Sequence, residues 1–141
     1  MTRTHEDGSL PEGRPPVVLL VEDEIMIRMA DAEALRDAGI CVIEAGSGAE
    51  ALPVLSSSLA LDLLVTDITM PGEPDGLALA AFCRQHRPGL PILLASARLP
   101  APGDPRADRM LAKPYAFSEL LSAVKDMLGS AWQTTKDRKA C

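Results

Sequence analysis

Short aliphatic runs alternate with amphipathic stretches along this chain, and that alternation constrains its fold more than any other feature. Residues 17–21 are followed by a helical pattern over 25–38 that Gly39 closes. Residues 41–43 precede a helical stretch near 49–55, and residues 63–66 precede one over 77–86 closed by Pro88-Gly89. The apolar runs are strand-sized, while the stretches between them repeat with helical spacing. Three strand-helix units in succession predict a parallel sheet covered by helices on both faces. The pattern continues with a strand over 91–96, an irregular segment, a short strand over 110–112, and a final amphipathic helix over 118–128 ended by Gly129. Five strands and four or five helices are therefore expected within residues 17–128.

Two places fit the scheme poorly. Pro53 falls inside the second helical stretch, where it removes a backbone hydrogen bond and predicts a short or irregular helix. Pro100, Pro102, Gly103 and Pro105 crowd the segment 98–109, so the helix that would connect the fourth and fifth strands is expected to be short or missing.

The flanks differ from this body. Residues 1–16 are rich in Gly, Pro and charge without an apolar period and read as a disordered leader; residues 129–141 read as a flexible tail. Of the net charge of −6, the leader carries −1 and the tail +2, so −7 falls on residues 17–128. An acidic body argues against binding nucleic acid or an anionic membrane. With aromatic residues at only 3%, stacking platforms for single strands are not expected either. The longest apolar runs fall far short of a membrane span and the polar start is no signal peptide, so a cytoplasmic protein is expected. Cys41, Cys83 and Cys141 lack metal-like spacing and read as two reduced core thiols and one in the tail.

In an open parallel sheet, ligands gather at the carboxyl ends of the strands. There the sequence places Glu22-Asp23-Glu24 after the first strand, Asp67 after the third, Ser96 at the fourth and Lys113-Pro114 after the fifth. Carboxylates brought together raise one another's pKa unless a cation relieves them, and a hard divalent ion such as Mg²⁺ suits oxygen ligands. A hydroxyl and an ammonium beside them supply donors for an anionic group, and a carboxylate can serve as nucleophile. Each residue also has a bland reading: an acidic helix start that favours the dipole, a turn after Asp67, a strand-end hydroxyl, a surface lysine. All four at strand ends, in this order, favour a site.

The segments Val17-Val18-Leu19-Leu20-Val21-Glu22-Asp23-Glu24, Asp67-Ile68-Thr69-Met70-Pro71-Gly72, Leu93-Leu94-Ala95-Ser96-Ala97 and Lys113-Pro114-Tyr115 together resemble the receiver domain of two-component response regulators. The resemblance covers residues 17–128. It implies a doubly wound, flavodoxin-like α/β fold with strand order 2-1-3-4-5. It further implies that Asp67 accepts a phosphoryl group from a sensor histidine kinase, a phosphotransfer protein or a small acyl phosphate. Asp23 would be a direct Mg²⁺ ligand (Mn²⁺ could substitute), with Glu22 acting through water and the Thr69 backbone carbonyl completing the protein ligands alongside Asp67. Ser96 and Lys113 would bind phosphoryl oxygens, and Lys113-Pro114 would be a cis peptide. His5 and His86 are bystanders in this scheme.

The sequence departs from the family pattern at the switch. An aromatic residue usually stands three positions before the lysine, where this chain has Met110, and the spacing from Ser96 to Lys113 is about a helical turn short. The altered face suggests an unusual downstream target protein or a homodimer, with residues 98–109 as the mobile element. Thr69 and Arg98 occupy positions where relatives tune loss of the phosphoryl group. The expected protein is a stand-alone, Mg²⁺-dependent switch rather than a turnover enzyme. It would lose its phosphoryl group slowly by itself and pass its state on by protein contact. A phosphate sink or phosphorelay shuttle is the alternative, and a non-phosphorylated binding module a further one. A phosphohydrolase would need an acid where Thr69 stands, and a dinucleotide-binding fold would need a Gly-rich loop after the first strand.

Overall fold

The computed structural model describes residues 14–129. The expected tail beyond Gly129 and most of the expected leader lie outside the described residues. The elements are β1 (Val17–Val21), α1 (Ile25–Asp37), β2 (Cys41–Ala45), α2 (Gly48–Ser56), β3 (Leu63–Asp67), α3 (Gly76–His86), β4 (Ile92–Ser96), β5 (Arg109–Ala112) and α4 (Phe117–Leu128). All neighbouring strands pair in parallel, in the order β2-β1-β3-β4-β5.

Strand residues alternate between two apolar layers because successive side chains point to opposite faces. Leu19, Val21, Leu64, Ile92 and Leu94 pack with Ala51 and Leu55 of α2 and Leu79 and Cys83 of α3. Val18, Leu20, Leu63, Val65 and Leu93 pack on the other side with Ala32 and Leu35 of α1 and Leu120 and Val124 of α4. Both sets are apolar since helices cover both faces, which is why the central strands read as unbroken aliphatic runs.

Local chemistry sets the helix boundaries. Ser47 caps α2 by accepting from the Glu50 N–H, and Asp75 caps α3 by accepting from the Ala78 N–H. Helix α2 continues through Pro53 to its ninth residue, so the expected short helix is present. Its carbonyl end is gathered by the guanidinium of Arg87, which donates to the carbonyls of Leu55 (2.9 Å), Ser57 (2.7 Å) and Leu59 (2.7 Å). These bonds satisfy groups that a helix end otherwise leaves to water.

No helix forms between β4 and β5, as the prolines of that segment require. The expectation of two reduced core thiols needs correcting: Cys83 is a buried free thiol, but Cys41 is disulfide-bonded. Cys41 opens the edge strand β2 and is half-buried, whereas Cys83 is enclosed in the core.

Strand register aligns the ends that matter. Val21 pairs with Thr66, Asp67 with Ala95, and Ser96 with Ala112. The residues that follow β1 and β5 therefore emerge beside the last residues of β3 and β4. A close approach holds this edge: the N–H of Gly76 donates to the Ile68 carbonyl at 2.8 Å. A Cβ on Gly76 would lie 1.9 Å from the Asp67 carbonyl oxygen, so only glycine lets α3 begin here.

Candidate functional site

The carboxylates of Glu22, Asp23 and Asp67 each direct an oxygen to one place, and these oxygens lie within 4.8 Å of one another. Glu22 is 3% exposed and Asp67 9%, so most of the cluster is withdrawn from water. Burial pushes the Glu22 carboxyl above its usual range, against the hydrogen bond it accepts from Lys113.

Lys113 answers from the end of β5. Its ammonium lies 2.5 Å from Glu22 Oε1 and 3.2 Å from Asp67 Oδ2. Burial opposes the charged ammonium, but the hydrogen bonds and charges of Glu22 and Asp67 outweigh it and hold the Lys113 pKa above its ordinary value. The backbone fixes this direction: the Lys113 N–H donates to the Ser96 carbonyl at 2.9 Å, and the Lys113–Pro114 peptide is cis as expected.

Ser96 is buried at the end of β4, and its hydroxyl oxygen accepts from the Arg98 N–H at 3.2 Å. A hydroxyl that accepts in this way still has its own hydrogen to give. Thr69 is exposed in the loop two residues past Asp67, and Arg98 is exposed just past β4. Met110 does not face the carboxylates' edge as part of the cluster; it is half-buried on β5 and packs with the α2–α3 layer. Acceptors for a cation and donors for an anion thus converge around one carboxylate.

Two further residues lie at or beside this constellation without having been singled out in the sequence, Arg28 and Asp31. The Arg28 guanidinium donates to the Glu22 carbonyl at 2.9 Å and pairs with Glu44 at 3.3 Å. Asp31, 2% exposed on α1, accepts a hydrogen bond from the Tyr115 hydroxyl at 2.5 Å. Burial raises the Asp31 pKa, and burial together with Asp31 raises that of Tyr115. One signal for Asp31 exists in the sequence: it stands between Ile27 and Leu35 at four-residue steps, on the buried face of the helix.

A wall of apolar surface adjoins the site. Met26, Ile27, Ala30, Pro114 and Phe117 line a depression of about 510 Å³ that Lys113 and Asp31 also border. Ile25, Met26, Met29 and Phe117, at the start of α1 and of α4, are half-exposed or more. No helix among the described residues is long and apolar enough to cross a membrane.

Comparison with known proteins agrees with this geometry. The family model described as the response regulator receiver domain matches residues 18–125. The chain is 36% identical to the sensor kinase CckA of Brucella abortus over 118 residues, 79% of this chain and 12% of that protein. It is 34% identical to the response regulator receiver protein CpdR of the same organism over 81% of this chain and 98% of that one. Among solved structures, the response regulator TrrA of Thermotoga maritima, in complex with Mg²⁺-BeF, superimposes with a TM-score of 0.71 at 33% identity. That match covers 80% of this chain and 99% of TrrA. The chain spans between 12% and 56% of the length of the first curated relatives it matches.

Proposed function

Because this chain belongs to the response regulator receiver-domain family, we propose that Asp67 is its phospho-acceptor and that the phosphoryl donor is a phosphohistidine of a sensor kinase or phosphotransfer protein. An Asp67 carboxylate oxygen attacks phosphorus, the new O–P bond forms as the P–N bond breaks, and the imidazole departs with the electron pair. Such a displacement depends on positioning and charge neutralisation rather than on acid-base work. The observation that carries the reading is the convergence on Asp67 of a buried carboxylate cluster and the Lys113 ammonium at 3.2 Å.

The residues present fit a divalent cation. Glu22, Asp23 and Asp67 offer hard oxygen donors within reach of one another, and a buried Glu22 whose carboxyl resists ionisation is the kind of group a cation relieves. Glu22, Asp23, Asp67 and the Thr69 carbonyl would hold Mg²⁺ or Mn²⁺. When bound, the ion neutralises negative charge on the carboxylates and on the arriving phosphoryl group. Lys113 holds a positive charge against a second phosphoryl oxygen, and Ser96 donates its hydroxyl hydrogen to a third. Exposed Arg98 and Thr69 stand where they regulate access of water to the acyl phosphate, which this reading has the protein lose slowly by itself.

The output is protein contact. The exposed apolar surface of Met26 and Phe117, on the same depression that Lys113 borders, supports docking of a partner protein. The likeness to CpdR, which the chain matches over nearly its whole length, supports a regulator that acts through the receiver surface itself. The half-buried Met110 provides no ring to follow Ser96 inward, so the altered β4–β5 segment is the part of the molecule that reports phosphorylation to a target or a second copy.

The test is Mg²⁺-dependent phosphorylation by acetyl phosphate, read by intact mass. The wild-type chain is expected to gain one phosphoryl group and Asp67→Asn none. Equal labelling of the two would remove the assignment of Asp67.

A further inference from the structure

We infer that Arg28 is a positioning residue for the divalent-cation site, holding the Glu22–Asp23 peptide so that both carboxylates face Asp67. The inference deepens the proposed function and rests on its reading of the acidic cluster. Its basis is the hydrogen bonding of the turn between β1 and α1. The Glu22 N–H donates to the Ala45 carbonyl at 3.0 Å, the Glu24 N–H to Glu22 Oε2 at 3.1 Å, and the Arg28 N–H to the Glu24 carbonyl at 2.9 Å. The Glu22 carbonyl is held by the Arg28 guanidinium, 2.9 Å away. Arg28 thus takes both carbonyls that flank Asp23, one through its backbone and one through its side chain.

The guanidinium is itself anchored. Its side chain is 17% exposed, and Nε pairs with Glu44 Oε1 at 3.3 Å, while Arg36 holds the other oxygen of Glu44 at 3.0 Å and donates to the Val42 carbonyl at 2.9 Å. A chain of ionic contacts therefore runs from α1 across the edge strand β2 and ends on the turn that carries Asp23. The planar fork of an arginine suits two acceptors at fixed angles. Space has been left for it: a Cβ on Gly46 would lie 3.0 Å from Arg28 Nη1.

Arg28 differs in kind from Lys113. Lys113 faces the carboxylate oxygens that a cation and a phosphoryl group would take, and it must exchange partners when they arrive. Arg28 bonds to the backbone behind them and keeps its partners throughout. Groups that orient ligands in this way matter to metal affinity although they never touch the ion.

The experiment titrates the full, unphosphorylated chain with Mn²⁺ alone, the free ion being read by electron paramagnetic resonance. Arg28→Met keeps the aliphatic stem and removes the donors; it is expected to weaken binding about tenfold, the low end for loss of a ligand-orienting partner. Arg28→Lys, which retains a cationic donor for the carbonyl, is expected to recover more than half of that loss. The amide signal of Asp23 is expected to shift in Arg28→Met before any metal is added, with the melting temperature within a few degrees of wild type. A guanidinium acting only as a nearby positive charge would repel the ion, so equal or tighter binding by Arg28→Met overturns the inference, as does a lysine variant no better than the methionine one. Failure of the wild-type chain to bind Mn²⁺ would take down the metal reading of the site together with this inference, whereas a binding wild type with an indifferent Arg28→Met takes down this inference alone.

Discussion

Strands β3 and β5 lie two places apart in one sheet and differ in almost every physical respect. All five residues of β3 are buried, whereas β5 has four residues, exposed at both ends and only half-buried between. The connections account for the contrast. A helix follows each of β1, β2 and β3 before the next strand, but the chain passes from β4 to β5 through residues 97–108 without one. Cover on β5 comes from α4 on one face, and on the other Met110, with Ala107, packs against the edge of the core. Yet Lys113, which follows the poorly covered β5, lies 2.5 Å from Glu22 and 3.2 Å from Asp67. The site depends on strand ends in register, and the covering helix is dispensable for that.

The two halves differ most at two glycines. A Cβ on Gly76, in the covered half, would meet the Asp67 carbonyl oxygen at 1.9 Å and Ile68 Cα at 2.6 Å, and both are backbone atoms of a buried strand end. Gly76→Ala is expected to cost about 3 kcal/mol in urea unfolding, since neither chain can yield without repacking. Gly103, in the uncovered half, has a φ of +84°, and a Cβ placed on it would find nothing within 4 Å. Gly103→Ala therefore carries only the penalty of left-handed backbone, about 1 kcal/mol. Equal losses would mean that the two halves are equally packed.

The same contrast shows why some of the molecule was legible in its sequence. Unbroken aliphatic runs announced β1, β3 and β4 because both faces are covered, and acids, a hydroxyl and a lysine at the run ends marked the site edge. The prolines between 100 and 105 announced the missing helix. Arg28 stayed hidden because its partner is a backbone carbonyl, which every residue has. The Tyr115–Asp31 bond joins positions 84 residues apart, and pairing at that distance leaves no local pattern. Helix α2 runs through Pro53, and its carbonyl end is gathered by Arg87 from beyond α3, a pairing across 30 residues or more that leaves no local pattern.

The connection between β4 and β5 itself divides into two parts. Residues 104–108 are tied down: Asp108 accepts from the buried Ile92 N–H at 2.8 Å and pairs with Arg84 of α3 at 3.0 Å, and Arg84 also donates to the Pro105 carbonyl at 3.2 Å. We propose that, of the segment 98–109 expected to be mobile, residues 99–103 move and 104–108 do not. Asp108→Ala leaves the Ile92 N–H without its acceptor and is expected to cost about 1 to 2 kcal/mol. Amide exchange in the wild type is expected to be faster at residues 99 and 101 than at 106–108, and Asp108→Ala should erase that difference. Uniform exchange across the wild-type segment would return the mobile element to its full length.

The smallest expected effect lies where the two halves are joined. Asp31 of α1, in the covered half, meets Tyr115 of the turn after β5, and the carboxyl is buried against the pocket beside the site. Burial raises its pKa, in opposition to the Tyr115 hydrogen bond and the Lys113 charge. For an acid raised in the native state, both folded and unfolded chains are protonated below the ordinary carboxylate range, and no penalty exists there. As pH rises through the unfolded value, the unfolded chain releases its proton first, and stability declines until the native carboxyl has ionised as well. Asp31→Asn keeps a carbonyl to accept from Tyr115 but has nothing to ionise. It is expected to melt a few degrees above wild type at about pH 7.5 and to lose most of that advantage near pH 3, where the carboxyl is largely protonated in folded and unfolded chains alike. A gain of the same size at both pH values would assign the effect to packing, and a loss at the higher one would mean that the ionised carboxylate, held by Tyr115, binds the β5 turn to α1 more firmly than a neutral amide does.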